Sequence, residues 1–151
     1  MSSKINTAVI PFQHPFMLTA CGPSQCGKTY WIFKLFKYIK EMIEPTPNKI
    51  IYLYTAKEPI YDEMKIIEAQ KINIKFIDCN KGIPLASDLQ TNLSHNRLVV
   101  LDDLMTVATS SKENTDNLDN FASRDSHHSN ISVIFTCQNL TYGGEITKFA
   151  C

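Results

Sequence analysis

The chain has 151 residues, 44% of them hydrophobic and 20% charged, which is enough apolar material for one core and too little for two. With 15 basic and 15 acidic residues it carries no net charge, which excludes a polybasic protein that binds nucleic acid by bulk electrostatics; any such contact is expected to be local. Residues 1–81 carry +4 and residues 82–151 carry −4, a mild asymmetry. No run approaches the roughly 18 apolar residues of a membrane span, and Met1 to Asn6 lack the apolar stretch of a secretory signal. A soluble, intracellular protein without membrane contact is the expectation. Five cysteines without a C-x-x-C pair fit reduced thiols. Cys21, Cys79 and Cys137 fall in or beside apolar runs and read as small core residues. The adjacent His127 and His128 lack further ligands at metal-binding spacing.

Residues 1–15 read as an N-terminal extension and residues 16–151 as a single domain. Phe16–Cys21 has the pattern of a buried strand. From Lys28, apolar residues at 32, 35, 36, 39, 42 and 43 keep helical spacing until Pro45 and Pro47 stop it. Lys49–Tyr54 reads as a second strand, and Pro59 with Ile60, Met64, Ile67 and Ile72 as a helix. Ile74–Ile77 reads as a short strand, and Leu85–Leu93 as a short helix. Arg97–Leu101 is a β-type run that ends in two acids. Residues 106–130 form a polar excursion anchored by Leu118 and Phe121, with room for one helix. Ile131–Cys137 is the last strand expected, and the tail from Asn139 shows no further strong element. Strands alternating with helices predict an α/β fold with a mostly parallel sheet.

Gly22-Pro23-Ser24-Gln25-Cys26-Gly27-Lys28-Thr29 matches G-x-x-x-x-G-K-[ST] between a predicted strand and a predicted helix. Glycines at both ends let backbone N–H groups turn inward, and a helix start adds its positive dipole end, so the loop suits a phosphate. Lys28 would reach the β- and γ-phosphates, and the Thr29 hydroxyl would meet Mg²⁺. A functionless Gly-containing turn is the bland alternative, and the strand–helix setting weighs against it. Next to the loop, Tyr30, Trp31 and Phe33 suit either base stacking or, as the simpler use, core packing.

Leu98-Val99-Val100-Leu101-Asp102-Asp103 has the form of a Walker B strand. Asp102 would hold Mg²⁺ through water, and Asp103 would act on the attacking water as general base. Gln138, at the end of the next strand, is placed to hydrogen-bond a γ-phosphate or that water. Arg124 suits an arginine finger toward a neighbouring subunit, or a plain ion pair with Asp125. Lys57, Lys65 and the polar stretch 106–123 are candidate DNA-facing positions, with a solvated surface as the alternative. The guanine motif N-K-x-D fails at Ile83 in Asn80-Lys81-Gly82-Ile83, and residues 131–151 hold no Arg for a kinase lid.

Together the phosphate loop 22–29, the Asp102-Asp103 pair and the stretch Ser126 to Asn139 resemble the FtsK/HerA superfamily of P-loop ATPases. The likeness is to the genome-packaging ATPases of double-stranded DNA viruses and of Polinton-like elements. The resemblance spans about residues 16–140 and implies a three-layer P-loop fold of the additional-strand type. It implies an oligomeric, ring-shaped motor that hydrolyses Mg²⁺-ATP to move duplex DNA into a capsid, inside a host cell or with the virion. It assigns Lys28 and Thr29 to nucleotide and Mg²⁺, Asp102 and Asp103 to metal and water, Gln138 to sensing, and Arg124 to a trans finger. Asp103 stands where such proteins often have Glu. The resemblance also implies a further strand after the Gln138 strand, whereas 13 residues follow Gln138; a shortened copy is the expectation. A nucleotide-binding module without turnover is the alternative, and a nucleotide kinase a more distant one.

Overall fold

Strand formation follows the aliphatic runs. The computed structural model describes residues 10–66, 72–89, 96–123, 130–139, 141–142 and 145–146. In chain order these form β1 (Phe12–Gln13), β2 (Met17–Cys21), α1 (Lys28–Lys37), α2 (Ile39–Met42), β3 (Ile43–Glu44), β4 (Lys49–Tyr54), α3 (Ile60–Ile66) and β5 (Asn73–Asp78). A 3-10 turn (Ala86–Leu89), β6 (Arg97–Asp102), α4 (Met105–Ala108), α5 (Lys112–Ser123), β7 (Ile131–Cys137), β8 (Thr141–Tyr142) and β9 (Glu145–Ile146) complete them.

The central sheet has the order β2-β7-β6-β4-β5, with every neighbouring pair parallel. β7 therefore separates the strand before the phosphate loop from the strand that ends in the two acids, the additional-strand arrangement. Every residue of β6 and β7 is buried, as expected for parallel strands covered on both faces. On one face Ile50, Leu98, Val100 and Ile134 pack with Ile32, Leu35 and Phe36 of α1 and Met64 of α3. On the other, Ile51, Val99, Leu101 and Phe135 pack with Leu89, Met105, Leu118 and Phe121. Helices on both faces of one sheet make the three layers.

The polar excursion differs from its expectation, since it carries two helices rather than one. The Ser111 hydroxyl accepts the Asn114 N–H at 3.1 Å and caps α5, while the Thr115 hydroxyl donates to Ala108 O at 2.7 Å and ties α5 to α4. The first helix is interrupted at Tyr38, whose N–H turns to Lys34 O and Phe36 O. The chain then enters β3, which pairs in parallel with β1. The helix expected over residues 85–93 is a single 3-10 turn, with residues 90–95 outside the described set. In the tail, the two-residue strands β8 and β9 pair antiparallel.

Two burial expectations are corrected. Cys79 and Cys137 are buried, but Cys21 is exposed, because it is the last residue of β2, which has a strand neighbour on one side only among the described residues. Tyr30 and Trp31 are 54% and 38% exposed. Tyr30 lies on the face of α1 opposite Ile32, Leu35 and Phe36, so core packing is not its use, whereas Trp31 flanks that face beside Leu35 and Phe33 packs against the core.

Candidate functional site

The segment from Gly22 to Gly27 leaves β2 as a tight loop and runs into α1. Gln25 and Gly27 both have left-handed backbones, at φ 63° and φ 94°, and an added Cβ at Gly27 would meet nothing within 4 Å. Backbone conformation, rather than crowding, accounts for glycine there. At Gly22 the constraint is contact: a Cβ would stand 2.7 Å from Cys26 Sγ. Lys28 Nζ folds back to donate to Gly22 O at 2.6 Å and Pro23 O at 3.0 Å, which holds the ammonium at the mouth of the loop.

A cleft of about 790 Å³ opens at the carboxyl ends of the strands, lined by Ser24, Gln25, Gly27, Lys28, Thr29 and Tyr30 on one side. Glu58, Pro59, Ile60, Glu63, Asp102 and Asp103 line the other. Gly22, Pro23 and Cys26 are not among the lining residues. Consecutive strand residues point to opposite faces, so two neighbouring acids would normally diverge. Asp103 instead takes a left-handed backbone at φ 51°, a conformation that Asp tolerates better than most residues, and both carboxylates line the same cleft.

The two acids have different surroundings. Asp102 is buried at 7% exposure, and its Oδ2 accepts the hydroxyls of Tyr52 at 2.5 Å and Tyr61 at 3.0 Å. Its Oδ1 accepts the Thr136 hydroxyl at 2.6 Å. That same Thr136 oxygen accepts the Asp103 N–H at 3.0 Å. Asp103 is half-buried, and its Oδ2 accepts Gln138 Nε2 at 2.6 Å. Gln138 thus meets the cleft through Asp103.

The model of the Poxvirus A32 protein family matches residues 10–148. The chain belongs to the poxvirus A32 protein family. No curated protein sequence matches it. The A32 match spans both the loop and the acidic strand, so the whole cleft lies inside the family's region.

Within this A32-family site, four residues escaped the reading of the sequence. Tyr52, Tyr61 and Thr136 enclose Asp102, and Glu58 accepts the Thr29 hydroxyl at 3.3 Å. A hydroxyl at Tyr52 among the aliphatic residues of β4 was the available signal, since a buried phenol requires a partner. Burial first, and then the charge of Asp102, raises both phenols well above their ordinary range, so they remain donors. Cys137, beside Cys21, is pushed up to about 12, chiefly by burial, and is an unreactive thiol. Lys57 and Lys65 pair with Asp62 at 3.8 and 3.2 Å on the exposed side of α3. Arg124, with His127 and His128, lies outside the described residues.

Proposed function

We propose that this chain is the ATPase core of a viral genome-packaging motor, hydrolysing ATP with Mg²⁺ to drive double-stranded DNA into a capsid. The observation that carries the reading is the convergence of Lys28, Thr29, Asp102 and Asp103 on one cleft at the carboxyl edge of a parallel sheet, where nucleotides bind in open α/β folds. Membership of a family of genome-packaging ATPases supports the viral role.

The donor set suits Mg²⁺. Thr29 and Asp102 are hard oxygen ligands, and Mg²⁺ is commonly held by one or two such groups together with phosphate oxygens and water. Asp102 Oδ2 already receives two donors, whereas Oδ1 receives one, leaving one lone pair for a metal-bound water. When bound, the ion neutralises charge on the β- and γ-phosphate oxygens.

The protein's own residues do the rest. Lys28 leaves the loop carbonyls for the phosphates, and the loop backbone orients them in line with the cleft. Asp103 accepts a proton from the attacking water, held in orientation by Gln138. Assembly as a ring of identical subunits, with Arg124 reaching a neighbour's phosphate and capsid proteins as partners, belongs to the same reading, as does kinship with the FtsK/HerA group. The choice of ATP over GTP rests on that kinship and on the failed N-K-x-D pattern.

The test is ATP turnover by the purified chain with and without duplex DNA, at low and moderate salt, beside Lys28→Ala. Turnover that rises with DNA and vanishes in the variant is expected. Turnover indifferent to DNA would remove the motor reading, and nucleotide affinity unchanged in Lys28→Ala would remove the phosphate-loop assignment.

A further inference from the structure

The start of α3 touches both residues expected to meet the metal. Glu58 accepts the Thr29 hydroxyl, and Tyr61, three residues on, donates to Asp102 Oδ2. The two contacts belong to one rigid turn, because Tyr61 N–H donates to Glu58 O at 3.1 Å. Tyr61 is fixed in turn by aromatic packing, with its ring centroid 5.0 Å from Tyr52 and 5.3 Å from Phe76.

Each contact also has the right polarity. Thr29 gives away its proton to Glu58, which leaves the hydroxyl oxygen's lone pairs free. Tyr52 and Tyr61 occupy Oδ2 and Thr136 occupies one side of Oδ1, so Asp102 has a single acceptor site left. Thr29 and Asp102 line the same cleft, and each keeps acceptor capacity there.

We propose that the turn carrying Glu58 and Tyr61, with Tyr52 beneath it, pre-orients Thr29 and Asp102 for the metal, making these three positioning residues for Mg²⁺. The proposal rests on the Mg²⁺-nucleotide reading above. Partners that orient metal ligands in this way typically change metal affinity by about 10–100-fold when removed.

The experiment is Mn²⁺ binding to the ATP-loaded chain, read by electron paramagnetic resonance with Mg²⁺ competition, together with ATP affinity in EDTA. Tyr61→Phe and Tyr52→Phe keep the rings and delete one hydroxyl each. Both are expected to weaken Mn²⁺ binding about tenfold and leave metal-free ATP affinity unchanged. Glu58→Ala should act in the same direction, and Glu58→Gln, which keeps an acceptor oxygen, should restore affinity. Tyr54→Phe, a ring neighbour of Tyr61 at 5.2 Å, should behave as wild type.

Wild-type Mn²⁺ affinity in both phenylalanine variants overturns the proposal, as does an equal loss of metal-free and metal-bound nucleotide affinity. If the wild-type chain binds ATP without any dependence on metal, the Mg²⁺-nucleotide reading falls first and the proposal falls with it.

Discussion

Asp102 and Asp103 are chain neighbours with different surroundings, and Thr136 is the atom-level link between them. Its hydroxyl gives its one proton to Asp102 and accepts the Asp103 N–H, so a single side chain fixes the buried carboxylate and the turn that re-aims the next one. Thr136→Val keeps the shape and strands both partners. Leaving a buried donor or acceptor unpaired costs about 1–3 kcal/mol, a loss to be read from urea midpoints, whereas Thr136→Ser should retain most of the stability. Asp103→Asn is a cleaner probe of chemistry. The amide oxygen still accepts from Gln138 but cannot take a proton from water, so turnover should fall about 10²- to 10⁴-fold with nucleotide affinity preserved. Normal turnover in that variant would move the base elsewhere, and Glu58 and Glu63, which also line the cleft, would be the next carboxylates to replace.

Among the elements, one histidine adds a side-chain tie to the backbone pairing that anchors the N-terminal segment. His14 Nε2 meets the Asn130 carbonyl at 3.1 Å, so it must donate, and Nδ1 then accepts from the Ser132 hydroxyl at 2.5 Å. Ser132 in turn accepts the Phe16 N–H at 3.1 Å, so the chain entering β2 is tied to the start of β7 through a neutral imidazole. Burial, the largest influence, lowers the His14 pKa from its ordinary 6.5. The unfolded chain therefore binds the proton more readily than the folded one, and the His14 contribution is fully present above pH 6.5 and is lost as pH falls below it. His14→Gln should flatten the dependence of the urea midpoint on pH between about 7 and 5; an unaltered slope would show that other groups set it.

Strands covered on both faces were legible in the sequence. Lys49–Tyr54 and Ile131–Cys137 coincide with their predicted limits, because a strand covered on both faces is nearly continuous in aliphatic residues. α4 and α5 were harder to anticipate. Their apolar anchors are sparse, and local caps at Ser111 and Thr115 define them as much as periodicity does. Glycine spacing marked the phosphate loop, and two acids after an aliphatic run marked the acidic strand, since both are local patterns. The partners Tyr52, Tyr61 and Glu58 come from other strands and turns 41 to 50 residues before Asp102, or 29 after Thr29, and no periodicity encodes such a meeting.

The cleft lies between the loop that follows an edge strand and the buried centre of the sheet. β6 and β7 are covered throughout, but β2, which launches the phosphate loop, has one strand neighbour among the described residues, and its residues are half-buried or exposed. A ligand that ties the loop to the acidic strand would join this edge to the buried centre, and any ligand that binds only the folded state stabilises it by mass action. At a nucleotide concentration about 100 times its dissociation constant, that linkage is worth about 2.7 kcal/mol. For a chain of 151 residues, roughly 2–4 °C per kcal/mol converts it to a rise in Tm of about 5–10 °C. The expected result of a thermal melt is therefore a concentration-dependent rise with ATP and Mg²⁺, a smaller rise with ATP in EDTA, and none in Lys28→Ala. A Tm that rises equally in Lys28→Ala would place nucleotide binding outside the cleft, because no other cation of the phosphate loop could hold the γ-phosphate there.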